Sequence, residues 1–254
     1  MAGPRLVTLI TGASAGLGVE FARALAARGE ALVLVARRRD RLEALATELG
    51  GAEIVALDLA EPAAPERLMA EVAGRGLEVA TLINNAGFGL SGRFDALPIE
   101  RQAEMIDLNV RALTELCRLV LPPMIERRAG AILNVASTAA FQAGPNMAVY
   151  YASKAYVLSF TEALHQELKT KGIRVTALCP GPTATEFFAV AGAEKGRLAK
   201  IATDPVAVVR AGLDGLAKNK AIVIPGAMNK MTAQSNRLLP RALMRRIVAR
   251  IKAE

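Results

Sequence analysis

Two tyrosines and a lysine stand close together in Tyr150-Tyr151-Ala152-Ser153-Lys154, inside a segment whose apolar spacing predicts an amphipathic helix over about Tyr150 to Lys171. Positions three and four apart share a helix face, so either hydroxyl can approach the Lys154 amine. A free tyrosine has a pKa of about 10 and is a reluctant proton carrier near neutrality. An ammonium about 5 Å away stabilises the phenolate by roughly 3 kcal/mol at an effective dielectric near 20, about two pKa units. The pattern therefore suits general acid–base chemistry at an oxygen, and helix geometry leaves open which tyrosine performs it.

A second chemically suggestive stretch is Thr11-Gly12-Ala13-Ser14-Ala15-Gly16-Leu17-Gly18, which follows an apolar run and opens a helical pattern. Glycines there permit a tight turn and close backbone approach, and the free N–H groups of a helix start attract a pyrophosphate. The spacing is G-x-x-x-G-x-G, not the commoner dinucleotide pattern G-x-G-x-x-G. The next apolar run ends Val35-Ala36-Arg37-Arg38-Arg39, with no carboxylate before Asp40. An acid in that place would hold ribose hydroxyls, whereas a guanidinium fork accepts a 2′-phosphate, so NADP is expected over NAD, with Arg37 as the contact. Arg38 and Arg39 read as surface charge, and Asp40 as the cap of the following helix.

These groups need a scaffold. Apolar β-branched runs alternate with helical patterns along the chain: RLVTLI, a helix over about 15–28, ALVLVA, a helix from near Asp40, EIVALDL, a helix near Pro65–Ala73 and VATLIN. Then come a long helix over about Ile99–Arg128, AILNVAS, the tyrosine helix, IRVTALC, a helix near Pro205–Lys218 and AIVIP. Seven buried strands separated by helices imply an α/β fold, a doubly wound, Rossmann-like parallel sheet in a single domain. Residues 1–227 form its body and 228–254 a basic amphipathic C-terminal extension.

The glycine loop, Asp58, Asn84-Asn85-Ala86-Gly87, Asn109, Ser137, Y-x-A-S-K at Tyr150 to Lys154 and Pro180-Gly181-Pro182-Thr183-Ala184-Thr185 together resemble the single-domain short-chain dehydrogenase/reductase superfamily over about Arg5 to Pro225. The resemblance implies a catalytic set of Asn109, Ser137, Tyr150 and Lys154. It selects Tyr150, because Y-x-x-x-K ends on Lys154 and Ser137 lies 13 positions before Tyr150. Ser137 would hold the substrate oxygen, Tyr150 would supply the proton, Lys154 would lower the tyrosine pKa and bind the nicotinamide ribose, and Asn109 would organise a water-linked proton path. Cofactor contacts are implied for Gly12, Ser14, Gly16, Leu17, Gly18, Asp58, Leu59, Asn85, Gly87, Tyr150, Lys154, Pro180, Gly181, Thr183 and Thr185. Asn84 and Asn85 are also expected to couple neighbouring strands. His165 falls on the tyrosine helix too far along for catalysis, and Phe187 and Phe188 in the segment 185–197 suit an apolar ligand.

The resemblance thus implies an NADP(H)-dependent interconversion of a carbonyl and a secondary alcohol on a small or lipid-like substrate. A non-catalytic nicotinamide-binding sensor of the same fold is the alternative. The net charge of +8 raises a nucleic-acid partner, yet seven of the basic residues lie beyond Met228 with one acid, leaving the body nearly balanced and no nucleic acid expected. In a helix over about Arg241–Lys252, Leu243, Met244, Ile247, Val248 and Ile251 form an apolar stripe that either docks on the protein or makes weak peripheral contact with a membrane. No span or signal peptide is apparent, so a cytoplasmic protein is expected, with Cys117 and Cys179 as reduced thiols and no metal site. By resemblance, the helices around Asn109 and Tyr150 would pair between subunits in a homodimer or homotetramer.

Overall fold

The computed structural model describes residues 3–187, 191, 203–238 and 240–252. Strands β1 (Arg5–Thr11), β2 (Leu32–Ala36), β3 (Glu53–Ala56), β4 (Leu77–Asn84), β5 (Gly130–Val135), β6 (Ile173–Leu178) and β7 (Ile222–Val223) form one sheet in the order β3-β2-β1-β4-β5-β6-β7. All neighbouring strands run parallel. The helices are α1 (Leu17–Ala26), α2 (Arg39–Glu48), α3 (Ala64–Gly74), α4 (Ile99–Ile106), α5 (Leu113–Glu126), α6 (Ala148–Leu168), α7 (Pro205–Ala217), α8 (Ala227–Leu238) and α9 (Arg241–Lys252).

Strand side chains alternate between faces, and both faces are apolar because both are covered. Leu9, Val33, Leu82 and Ile132 pack with Leu68 of α3, Leu116 of α5 and Val157 of α6. Their neighbours Ile10, Leu34, Ile83 and Leu133 pack on the opposite face with Phe21 of α1, Leu42 of α2 and Leu213 of α7. Strand order reverses between β1 and β4, so the chain leaves these two adjacent carboxyl ends in opposite directions and a crevice opens between them.

Polar side chains in the sheet fasten that region. Asn84 and Asn134 are register partners on β4 and β5, and Asn84 Nδ2 donates to Asn134 Oδ1 at 2.9 Å. Asn134 Nδ2 in turn donates to Thr161 Oγ1 on α6 at 3.0 Å. The strand-coupling role expected of Asn84 is therefore observed, and it extends to the tyrosine helix. Cys117 and Cys179 are free and buried, and burial pushes both thiols up to about 12, which keeps them unreactive.

Three local expectations change. Arg38 occupies the N-cap position of α2, and Asp40 lies inside the first turn, where its charge still opposes the helix dipole favourably. The expected long helix over 99–128 is interrupted by a π-helical stretch at Asp107–Ala112 that carries Asn109. The last strand shrinks to Ile222–Val223, since at the sheet edge it pairs only with β6.

Asn134→Ala removes the acceptor of Asn84 and the donor to Thr161 at fully buried positions, a loss of about 1–3 kcal/mol. Urea unfolding should show a lower midpoint with an unchanged slope. A midpoint equal to that of the unmodified protein would contradict the bracing role.

Candidate active site

The carboxyl ends of the strands surround one cavity of about 770 Å³. Of the expected catalytic and cofactor-binding residues, all line it except Gly18 and Asn109; Phe187 lines it as well, and Phe188 lies outside the described residues. Gly18 lies behind the loop: a Cβ there would sit 2.2 Å from the Gly12 carbonyl oxygen, so only glycine lets α1 start so close to β1. Gly12 itself takes a left-handed φ of 66°. Asn85 holds this turn from the other side, its amide donating to the carbonyls of Thr11 and Gly12 at 2.9 and 3.2 Å. Thr11 Oγ1 accepts the backbone N–H groups of Asn85 and Ala86, joining the ends of β1 and β4 at the crevice.

The first residue of α1 follows Gly16, and no side chain caps this helix start. Its N–H groups and the glycine turn make a cradle for a diphosphate. Beside the cradle, Arg38 donates through Nε and Nη2 to Ser14 Oγ at 3.2 Å and through Nη2 to the Ser14 carbonyl. Its Nη1 reaches Glu186, which also receives Arg41 at 2.6 Å. These two guanidiniums, Arg41 foremost, hold the Glu186 carboxyl below its ordinary range. Arg37, the arginine singled out from sequence, points elsewhere and pairs with Asp58 and Glu104 at 3.4 and 3.2 Å. Both arginines line the cavity, and Arg38, which had read as surface charge, is the one bonded to the glycine loop. Three consecutive arginines carry no signal for which one the end of β2 turns inward.

At the other end of the cavity, Tyr150 and Lys154 lie on α6 and Ser137 follows β5. Ser137 Oγ accepts from the Ala139 N–H at 3.1 Å and is also hydrogen-bonded to the Tyr150 phenol. The Thr138 N–H donates to the Pro180 carbonyl, fixing this loop to the segment after β6. Lys154 is 5% exposed; its Nζ donates to the Val135 carbonyl at 2.8 Å and lies 5.9 Å from the Tyr150 ring centroid. Tyr151 turns its ring toward Gly144 and pairs with Gln142, edge-on to Tyr150 at 6.1 Å. The register that joins Ser137 to Tyr150 is the one the tertiary structure builds.

The electrostatics differ from the expectation that Lys154 depresses the tyrosine. Burial pushes Tyr150 up to about 12, against a smaller opposite pull from Ser137, and burial brings Lys154 down to about 8. Both groups are driven toward their neutral forms because the low-dielectric interior penalises either charge. Tyr150 is consequently a firmly protonated donor.

Asn109 is fully buried and its side chain is committed: Nδ2 donates to the Phe88 carbonyl and to Ser153 Oγ, and Oδ1 accepts the Phe88 N–H. It locks the irregular segment following β4 to α6 and does not line the cavity. His165 meets the Val175 carbonyl at 2.8 Å, remote from the site. The cavity also gains residues that no motif flagged, Met228 and Thr232 of α8 and Val248 of α9. A Cβ on Gly181 would sit 2.4 Å from Asn229 Oδ1, so glycine there lets α8 settle on the strand end.

A family model described as short chain dehydrogenase matches residues 6–196. The chain belongs to that family. An NADP-dependent 3-hydroxy acid dehydrogenase of Salmonella typhi is 39% identical over 191 residues, 73% of this chain and 76% of the relative. Sulfoacetaldehyde reductase 2 of Chromohalobacter salexigens is 38% identical over 189 residues, covering 72% and 75%. Among solved structures, a short-chain dehydrogenase from Sphingobium yanoikuyae in complex with NADPH is 34% identical, covers 94% of this chain and 95% of its own, and superposes with a TM-score of 0.80. The single-domain α/β fold with its seven-stranded parallel sheet is thus shared with this neighbour. Among the described residues, no cluster of His, Cys, Asp and Glu could hold a metal ion, and no helix is long and apolar enough to cross a membrane.

Lys154 generates a pH prediction. Burial brings the amine to about 8 in the folded protein against 10.5 in the unfolded chain, so the unfolded state holds more protons between these limits and stability rises with pH across that window. Relative to Lys154→Met, the unmodified protein should gain on the order of 3 kcal/mol in urea unfolding between the ends of this range. A constant difference would show that the amine is not desolvated.

Proposed function

We propose that this protein is an NADP(H)-dependent oxidoreductase that interconverts a carbonyl and a secondary alcohol, a ketone or aldehyde reductase for a small or lipid-like organic substrate. The observation that carries the reading is the convergence of Ser137, Tyr150 and Lys154 at one end of the cavity whose other end is the glycine turn with Arg38. Relatives named for a hydroxy acid and a sulfonated aldehyde support the reaction class and differ in substrate.

The residues fit the cofactor. The cradle at Gly12–Gly16 suits its diphosphate; Asp58 and Leu59, which line the cavity beside it, would hold the adenine, and Thr183 and Thr185 would meet the nicotinamide end. Arg38 and Ser14 offer donors to a 2′-phosphate, while Arg37 gives a cationic rim. When bound, NADPH supplies the hydride. Ser137 Oγ and the Tyr150 phenol both reach the substrate oxygen, orienting it and stabilising the charge that develops there. Tyr150 gives its proton to that oxygen as the alcohol forms, and the neutral phenol imposed by burial matches this direction. In the reverse direction Tyr150 must accept the proton. The Lys154 ammonium, once the cofactor's phosphates add negative charge to the site, offsets the phenolate and can also donate to a ribose hydroxyl. Asn109 acts as a positioning residue, through Ser153 and Phe88, rather than at the reacting atoms. We further propose that residues 228–254 are a working part of the domain, since α8 and α9 line the cavity.

Titration of protein fluorescence with each cofactor should give at least a tenfold preference for NADPH over NADH, about 1.4 kcal/mol. Arg38→Ala should erase most of it and Arg37→Ala less. Equal preference in the Arg38 variant and the unmodified enzyme would reject Arg38 as the phosphate contact.

Tyr150→Phe preserves the ring and should lower turnover of a ketone by about 100- to 10,000-fold with NADPH binding intact. Tyr151→Phe should change turnover far less. The reverse ordering would overturn the assignment of the proton donor.

A further inference from the structure

We infer that the carbonyl compound this enzyme takes is uncharged and carries a bulky apolar body, and that helix α9 supplies the wall against which that body lies. This rests on the carbonyl-reductase reading above and specifies its substrate.

Beyond Ser137 and Tyr150 the cavity opens among Phe88, Met147, Tyr151, Phe187, Met228 and Val248. These are large apolar or aromatic groups, several of them packed as one cluster: Phe88, Met147, Tyr150, Tyr151 and Val248 are all under 9% exposed, with Phe187 against them. The polar groups interspersed there, Ser91, Gln142 and Thr232, are neutral. The described cations that line the cavity lie elsewhere. Arg37 and Arg38 are at the end of β2, bound to Asp58, Glu104, Ser14 and Glu186, and Lys154 is turned to the Val135 carbonyl. Arg101 stacks its guanidinium 4.8 Å from the Phe88 ring centroid, pairs with Glu104, and does not line the cavity. A carboxylate or sulfonate placed among these side chains would lose its hydration without a counter-ion among the described residues, which disfavours it strongly. An uncharged hydrocarbon body gains from the same surface.

The tail supplies part of this wall. The family match ends at residue 196, before α8 and α9 begin. On α9 the apolar stripe is divided: Met244 and Val248 are 8% and 4% exposed, whereas Leu243 and Ile247 are 45% and 36% exposed. Val248 therefore joins the cluster around the two tyrosines and faces the cavity, so the stripe docks on the protein at the site itself. Helix α8 is pinned beside it by Asn229 on Gly181.

The test uses the full-length enzyme with NADPH and measures kcat/KM for matched ketones by product analysis. Methyl para-acetylbenzoate should exceed para-acetylbenzoate by at least about tenfold, and acetonaphthone should exceed acetone by a similar factor. Val248→Trp, which fills the cavity, should reduce the acetonaphthone-to-acetone ratio by about tenfold while NADPH affinity, the measure of folding, is unchanged. Val248→Ala, the variant that decides should the tryptophan fail to fold, should raise acetylphenanthrene relative to acetophenone by about threefold. Acid and ester reduced equally would overturn the uncharged-substrate inference. Size ratios that ignore both Val248 variants would overturn the role of α9. Tight NADPH binding with no ketone reduced would remove the carbonyl-reductase reading, and this inference with it.

Discussion

Everything at this site depends on the point where the sheet reverses its strand order. Because β1 and β4 are neighbours whose continuing chains depart in opposite directions, their carboxyl ends cannot be covered by the same connection, and a crevice must form between them. Thr11 Oγ1 and the Asn85 amide bind the two strand ends together across that gap. The glycine turn then presents its N–H groups from one bank while Ser137, Tyr150 and Lys154 enter from β5 and α6 on the other. The hydrogen-bonded chain Asn84–Asn134–Thr161 passes through the core beneath, so the helix that carries the tyrosine is held to the same strands that frame the crevice.

Burial sets the chemistry of that crevice as much as charge does. Tyr150 and Lys154 stand one turn apart, yet the interior acts on them in opposite senses, raising the phenol to about 12 and lowering the amine to about 8. A protonated phenol is what an alkoxide forming in front of it requires. A marginally charged lysine is one whose protonation an anionic cofactor can control, since bringing phosphates into the cleft favours the ammonium. In the proposed reaction, the phenol and the cofactor would thus be coupled through desolvation rather than through a pre-formed ion pair.

The C-terminal extension changes meaning once it is seen folded. Its seven basic residues dominate the charge of the molecule and invite thoughts of nucleic acid or membrane. In the structure its apolar side is partly consumed by the enzyme itself: Met244 and Val248 turn inward while Arg241, Arg245 and Arg246 stay exposed. Met228, Thr232 and Val248 thus bring to the cavity side chains from the stretch of chain that the family match does not reach.

The sequence by itself determined the fold class, because seven β-branched runs alternating with helical patterns admit few arrangements other than a covered parallel sheet, and the strands lie where those runs lie. The glycine turn was legible too, since its requirement is local, no Cβ where two backbones meet, whereas the pairing of Ser137 with Tyr150 rather than Thr138 with Tyr151 was implied only by the family spacing, because helix geometry serves either tyrosine. Tertiary structure decided what depends on neighbours distant along the chain. Whether Arg37 or Arg38 faces the glycine loop follows from the way β2 passes into α2, and no property of three identical side chains encodes it. That the Asn109 side chain, carried on a π-helical turn, spends its amide on Phe88 and Ser153 is likewise set by residues distant along the chain. Lys154 looked like a standing positive charge, and only its depth beneath Val135 reveals the desolvation. Val248 had one apolar position in a stripe to recommend it, and its place in the cavity lining required α9 to pack against the cluster around the two tyrosines.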